Sequence, residues 1–295
     1  MKLLVTGGAG FLGRHVLSAA RARGHEVTAL SRHPDRVRDL PEGVQLVQGD
    51  LTTPEGLGER LGELGLDAVI HAAAIVVDHD PTLHTVNVEG TAALCATLCG
   101  LPRPPRLVHV STFAVEDPPP TAYSDSKLAA EEVVRASGLE HLVLRPTLIY
   151  GSGDGTNTPI LVEKMRSGTH WLPGGGQVLI QPVHVDDVAE ACIAAAERDD
   201  MNGRTYRLGG DEPVSVRAWR EAVRDASGGA AQVRALPMPM LLAVARVAAA
   251  LGKPRARDVL SFHLVDHAVD SEDARRDLGF SPRSIHEGLA ETFGG

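Results

Sequence analysis

Six short apolar runs, regularly separated by helix-like stretches, constrain the fold of this chain more than any other feature. The runs are KLLVT (2–6), EVTAL (26–30), VQLVQ (44–48), DAVIH (67–71), RLVHV (106–110) and HLVLR (141–145). Each is short, apolar and bounded by turn residues, which predicts a strand. Segments 11–23, 54–64, 82–99 and 123–137 between them carry helical patterning. Strands and helices in strict alternation require right-handed crossovers and hence a parallel sheet covered on both faces. The predicted fold class is α/β, a doubly wound sheet that takes ligands at the carboxyl ends of its strands.

After Arg145 the rhythm loosens. YGSGDGTNTP and LPGGGQ read as turn-rich loops around a helix at 159–167, VHVDDVAEACIAAAE as a short strand leading into a helix, and TYRLGG (205–210) as another strand. From about 213 the chain reads as mostly helical, with a Gly-Gly-Ala-Ala linker at 228–231. A chain of 295 residues has material for one large unit or two lobes. The expected division is a dinucleotide-binding domain of 1–150 plus about 181–212, and a smaller, mostly helical substrate lobe of about 151–180 plus 213–295.

Charge narrows the partners. The net charge of -9, with 29 basic against 38 acidic residues and no basic run, argues against nucleic acid and anionic membrane and makes a small molecule the expected ligand. The apolar stretch from Met240 to Gly252 is interrupted by Arg246 and too short to span a bilayer, so no integral membrane segment is expected. It reads as a buried or lid helix, and Met238 to Leu251 as an apolar wall of the substrate pocket. The start lacks a signal-peptide core, and Cys95, Cys99 and Cys192 read as reduced thiols; both point to a cytoplasmic protein.

KLLVTGGAGFLGRH sets Gly7, Gly10 and Gly13 directly after the first strand and at the start of an amphipathic helix with Leu12, Val16 and Leu17 inward. Glycine lets the chain turn sharply and lets backbone amides approach a pyrophosphate at the positive end of the helix. This is the phosphate loop of a Rossmann-type domain. The second strand ends in Ser31-Arg32. A cation there pairs with a 2′-phosphate, and no acid is present for ribose hydroxyls, so NADP is favoured with NAD possible. Asp50, after the third strand, is placed to accept from an adenine amino group.

The chain resembles extended short-chain dehydrogenases/reductases of the NAD(P)-dependent epimerase/dehydratase superfamily, in the branch of 3β-hydroxysteroid dehydrogenases and dihydroflavonol reductases. The resemblance runs nearly end to end: TGGAGFLG, GDL (49–51), HAAA (71–74), NVEGT (87–91), VST (110–112), YSDSK (123–127), RPTLIYG (145–151), VHVDDVA (183–189) and DLGFSP (277–282). It implies a cofactor site lined by Gly7, Gly10, Phe11, Leu12, Gly13, Arg32, Asp50, Leu51, His71, Ala72, Ala73, Tyr123, Lys127 and Pro146. It implies catalysis by Tyr123 and Lys127 with a strand-end hydroxyl, Thr112 by preference and Ser111 as its neighbour, and a supporting Asn87. A tyrosine of ordinary pKa near ~10 exchanges a proton poorly at neutral pH, and an ammonium one helical turn away stabilises its phenolate. The resemblance also has Lys127 gripping the nicotinamide ribose.

The fold does not choose the reaction. Arg145-Pro146-Thr147 stands where sugar-nucleotide enzymes carry a phosphate-holding Asn block, and Phe113-Ala114 follow Thr112 where a dehydratase needs acids. The expected reaction is therefore hydride transfer between nicotinamide and a secondary alcohol or ketone. The alternatives are a nucleotide-sugar epimerase or dehydratase with tightly held NAD, and a non-enzymatic NAD(P)-binding sensor or scaffold. The loop from Ala114 to Pro118 is short, which opens the pocket on that side. His263 and His267 are helix-spaced without a third ligand, so no metal is expected. Asp186-Asp187 read as acids that suit the dipole and capping of a helix start, and His184 as packing. Helix 123–137 offers Leu128, Val133 and Val134 for packing, and the resemblance implies a homodimer.

Overall fold

A computed structural model describes residues 1–117, 120–237, 239 and 265–294. Its strands are β1 (Lys2–Thr6), β2 (Glu26–Ser31), β3 (Gln45–Gln48), β4 (Ala68–His71), β5 (Arg106–Val110), β6 (His141–Pro146), β7 (Ile149–Tyr150), β8 (Thr169–Pro173), β9 (Leu179–Ile180), β10 (Val183–His184), β11 (Thr205–Leu208), β12 (Val214–Ser215) and β13 (Gln232–Leu236). The helices are α1 (Phe11–Ala22), α2 (Leu57–Gly62), α3 (Gly90–Cys99), α4 (Ala122–Ala136), α5 (Asn157–Met165), α6 (Val185–Glu197), α7 (Val216–Ala226), α8 (Glu272–Leu278) and α9 (Ile285–Phe293).

A seven-stranded sheet in the order β11-β6-β5-β4-β1-β2-β3 forms the centre, with every pairing parallel. Helices cover both faces, so the strands read as near-continuous apolar runs. On one face Leu3, Val5, Ile70, Val108 and Leu142 pack with Val16 and Leu17 of α1 and Val188 and Ile193 of α6. On the other, Leu4, Val69 and Leu107 pack with Leu57 and Leu61 of α2, Leu94 and Leu98 of α3 and Val134 of α4. The chain winds outward from β1 through β2 and β3, then returns to β4 and winds the other way. The reversal between β1 and β4 opens a crevice at their carboxyl ends.

All six expected strands of the first half are present within a residue of their predicted bounds. The expected helix at 54–64 contracts to α2, with Gly56 in the left-handed region at φ +68° immediately before it. The stretch 82–99 is not one regular helix: Thr85–Glu89 form a π turn before α3. LPGGGQ turns as expected, with Gly174–Gly176 in a 3-10 turn; what was not expected is β8 before it and β13 within the mostly helical region after 213, which pair in parallel from Thr169↔Gln232 to Pro173↔Leu236. A third apolar cluster joins Tyr150, Leu172, Ile180, Val216, Trp219, Val223 and Leu289. Among the described residues no helix is long and apolar enough to cross a membrane. The expected apolar wall from Met238 to Leu251 and His263 lie outside the described residues, apart from Pro239.

Candidate active site

The crevice is lined first by main chain. Gly7 holds φ +72°, and a Cβ on it would lie 2.7 Å from Ala73 N and 2.8 Å from Ala72 O, so only glycine permits the β1 and β4 loops to close on each other. A Cβ on Gly13 would stand 2.1 Å from Gly7 O, so this position seats α1 against the strand end. Gly10 N donates to Gly7 O at 2.9 Å, and Gly10 precedes α1 with no side-chain cap. Phe11 and Leu12 are half-buried in the first turn. This cradle fits a dinucleotide pyrophosphate, because its geometry excludes side chains and the helix start presents amides. Arg14, which sequence reasoning passed over, binds the carbonyls of Ala9, Arg38 and Asp39 and ties the loop after β2 to the glycine loop.

The remaining cofactor candidates fall into two groups. Arg32 is exposed at the end of β2, and Pro146 is buried at the end of β6. Leu51 is buried, and Asp50 Oδ1 accepts from the Thr52 amide at 2.9 Å and its hydroxyl at 2.8 Å, a local turn bond. The side chain of His71 is not at the crevice surface. It is 1% exposed, with Nδ1 2.6 Å from Thr6 Oγ1 and Nε2 2.9 Å from Thr91 Oγ1. Burial, and then the charge of Lys127, push its pKa down to about 3.

Thr112 and Ser111 follow β5 and meet different residues of α4, Tyr123 and Glu131. Thr112 Oγ1 accepts from Ala114 N at 3.2 Å, capping a short 3-10 turn, and its hydroxyl lies close enough to Tyr123 to favour the phenolate. Ser111 is buried beside Glu131, but its Oγ makes no hydrogen bond among the described residues. The strand-end hydroxyl beside Tyr123 is that of Thr112.

Tyr123 is half-buried in the first turn of α4. Thr121 and Ser124 start the helix with a reciprocal capping box. The Tyr123 amide donates to Asp78 Oδ1 at 2.8 Å, so the loop after β4 fixes where the phenol begins. Sequence spacing led us to expect a phenol made more acidic by Lys127. In the structure it is pushed up to about 12, by burial first and also by the Asp78 carboxylate, with the Thr112 hydroxyl opposing. It is therefore held protonated, the form a proton donor needs.

Lys127 is 2% exposed, and burial pushes its pKa down to about 8 while Glu131 works in the other direction. Nζ lies 3.4 Å from His109 Nε2. Asn87 is buried; its Oδ1 accepts from Ile75 N at 2.8 Å, and its Nδ2 donates to Ile75 O and to Ser126 Oγ, both at 2.9 Å. Ser126 in turn donates to the Tyr123 carbonyl at 2.7 Å. Asn87 thus joins the loop after β4 to the turn of α4 that carries both Tyr123 and Lys127.

One turn beyond Lys127, Glu131 is fully buried and binds Arg145 through two hydrogen bonds of 2.8 and 2.5 Å, and Arg135 at 2.6 Å. Burial works against its charge, but these cations keep its carboxyl below the usual range. Glu116 binds both Arg145 and Arg207, and Asp117 binds His267 Nδ1 at 2.6 Å, so the short loop after Thr112 is anchored at two points. The (i, i+8) spacing of Tyr123 and Glu131 through Lys127 was a signal available in the sequence; Asp78 and Glu116 had none.

Asp186 and Asp187 lie in the first turn of α6, as its dipole favours, but neither caps it. His184 Nδ1 accepts from Asp186 N, Asp186 pairs with His15 at 2.5 Å, and Asp187 binds Arg283 at 2.9 Å. His184, Asp186 and Glu291 bring ligand atoms within 4.8 Å of one another, but Arg283 pairs with both acids and supplies the cation there.

The fold and crevice define an NAD(P)-dependent enzyme of the extended short-chain dehydrogenase/reductase superfamily. The model of the NAD dependent epimerase/dehydratase family matches residues 3–209, and the chain belongs to that family. It is 33% identical, over 97% of its length and 94% of the relative, to the 4-hydroxy-2-methyl-3-oxo-4-farnesyl-3,4-dihydroquinoline-1-oxide ketoreductase of Stigmatella aurantiaca. It is 31% identical, over 98% of its length and 97% of the relative, to the 2-alkyl-3-oxoalkanoate reductase of Stenotrophomonas maltophilia. Among solved structures, the UDP-glucose 4-epimerase of Thermus thermophilus in complex with NAD superposes with a TM-score of 0.76 at 26% identity, covering 100% of this chain and 98% of that one.

Proposed function

We propose that the chain is an NADP-preferring reductase acting on the ketone of an apolar, chain-bearing substrate, with Tyr123 as proton donor. The observation that carries this reading is the convergence of a protonated Tyr123 phenol and the Thr112 hydroxyl at the end of β5, in a fold whose glycine cradle excludes side chains. The cradle of Gly7, Gly10 and Gly13 would hold the pyrophosphate, with Phe11, Leu12, Leu51, Ala72, Ala73 and Pro146 around the dinucleotide and Arg32 at a 2′-phosphate. When bound, the reduced nicotinamide supplies hydride to the carbonyl carbon. Thr112 orients the carbonyl oxygen by hydrogen bonding, and Tyr123 donates its phenolic proton to the same oxygen as negative charge develops there. Lys127, one turn further along α4, would grip the nicotinamide ribose, and Asn87 keeps that turn of α4 in place.

Two observations support an apolar substrate. Val76, Val77 and Leu148 expose 54, 57 and 38% of their surface in the segments that follow β4 and β6, the ligand-binding edge of the sheet. The reductase relatives are named for a farnesyl-bearing quinoline oxide and for 2-alkyl-3-oxoalkanoates. An epimerase or dehydratase with tightly held NAD is the second reading, supported by the family description and by the epimerase likeness. A cofactor sensor without turnover is the third. The two-lobe division at about 151–180 and 213–295, a homodimer and a cytoplasmic setting belong to the same proposal.

The test is turnover of 3-oxo alkyl acids, other apolar ketones and nucleotide sugars with NADPH and with NADH. The reading expects apolar ketones to be reduced, with NADPH preferred at least about tenfold, the value of about 1.4 kcal/mol from one ion pair at Arg32. Turnover of nucleotide sugars without added cofactor, and of no ketone, contradicts it.

A further inference from the structure

A polar row crosses the face of the sheet under α3 and α4. Thr6, His71 and His109 are paired neighbours on β1, β4 and β5, and Lys127 lies against the row from α4. All four are buried. The two imidazoles stand 5.3 Å apart, yet their hydrogen bonding differs in kind.

Proton counting fixes the state of His71. Thr91 Oγ1 donates its one hydrogen to Asn87 O at 2.6 Å, so it must accept from His71 Nε2. The proton of neutral His71 is then on Nε2, and Nδ1 accepts from Thr6 Oγ1, which itself accepts from Ala73 N at 3.3 Å. Both nitrogens are satisfied, and His71 acts as a rigid tie between the strand ends and the Asn87 turn.

His109 has no such closure. Its Nε2 faces Lys127 Nζ at 3.4 Å, and its Nδ1 is buried without a partner among the described residues. An ammonium only donates, so Nε2 must present its lone pair and Nδ1 must carry the proton, although nothing there accepts it. A buried donor left unpaired is costly, and a leucine would fill the space without that cost. The arrangement makes sense only through what Nε2 does.

The charged and titratable groups that reach Lys127 and His109 are His71 on β4, His141 on β6, and Glu131 and Arg135 on α4, with Arg145 of β6 paired to Glu131. Glu131 is taken by two arginines, and both nitrogens of His71 are engaged. His109 Nε2 is the protein atom at hydrogen-bonding distance from the Lys127 ammonium among the described residues.

We infer that His109 is a positioning residue, the internal acceptor that holds the Lys127 ammonium in its buried place and favours its charged form. This deepens the reductase reading, because it concerns the lysine on which that reading relies. His109 touches neither substrate nor cofactor, and its effect passes through Lys127.

Nuclear magnetic resonance of the full-length, cofactor-free protein tests the inference without a substrate. The sequence holds four lysines, Lys2, Lys127, Lys164 and Lys253, so a lysine-labelled sample gives few signals to assign. Titration should place Lys127 near pH 8 in the parent protein, about one pH unit lower in His109→Leu, and close to the parent value in His109→Gln, which keeps an acceptor. A Lys127 midpoint unchanged in His109→Leu, or lowered equally by Gln, overturns the inference. Nitrogen-15 shifts of His109 in the parent protein give a second reading that needs no variant: Nε2 must be unprotonated and Nδ1 protonated, and the reverse tautomer overturns it. Failure here leaves the reductase proposal standing. Conversely, loss of that proposal through an active Tyr123→Phe variant leaves the His109–Lys127 contact unaffected.

Discussion

Replacing Lys127 by methionine should stabilise the protein while removing its activity, because the fold holds this ammonium at a loss. Lys127 is 2% exposed and titrates at about 8 rather than 10.5, with burial as the first cause. At about 1.4 kcal/mol per pH unit, this displacement destabilises the native state by about 3 kcal/mol at pH 7. The sign follows from proton binding. Between pH 8 and 10.5 the unfolded chain carries the proton and the native state does not, so stability from this group rises with pH across that window and its penalty is full below pH 8. Raising the pH to 9.5 recovers about 2 kcal/mol of the loss. Methionine keeps the length of the stem and removes the charge. Urea unfolding of both proteins should favour Lys127→Met at pH 7 by up to about 3 kcal/mol, less about 1 kcal/mol for the hydrogen bond that His109 Nε2 loses, and the gap should shrink by about 2 kcal/mol at pH 9.5. Other titrating groups are common to the two proteins and cancel in the comparison. A variant less stable than the parent at both pH values, or a gap that does not change with pH, would refute the reasoning.

Glu131→Gln should have the opposite effect. It leaves Arg145, with an 11% exposed side chain, without its buried carboxylate, and a loss of about 3–5 kcal/mol is expected in urea or thermal unfolding; a loss under about 1 kcal/mol would mean that Glu116 alone suffices for Arg145. Gly13→Ala forces a Cβ to within 2.1 Å of Gly7 O, so dinucleotide affinity, measured by fluorescence titration, should fall at least about a hundredfold, while the far side of the sheet stays folded by circular dichroism.

Local patterning made the first half of the chain legible. The six strands, the glycine turn and the Tyr-Lys helix are each written in fewer than about 20 consecutive residues, and their order fixes a right-handed parallel sheet. The β8–β13 pair was not legible because THWLP and QVRAL find each other across 58 residues and neither alternates cleanly on its own. The π turn at Thr85–Glu89 has no local sequence signature, yet it precedes Thr91, which receives His71. Asp186-Asp187 looked like caps because two acids at a helix start suit its dipole; His15 and Arg283, which claim them, are 171 and 96 residues away. In the site, the strand-end hydroxyls could be named but not separated: which of them meets Tyr123 depends on where β5 ends and on how α4 packs against that end. His109 sits inside RLVHV as if it were another strand residue, and only the placement of α4 gives it Lys127 as a neighbour.

The proton-donor role of Tyr123 is tested most directly by the single-turnover rate of ketone reduction by NADPH in Tyr123→Phe, with cofactor affinity measured in parallel. The account predicts a loss of about 10²–10⁴-fold in the chemical step with affinity for NADPH within about threefold of the parent, since the phenol is a general acid and the cradle is main chain. A rate within a factor of about three of the parent enzyme would contradict it.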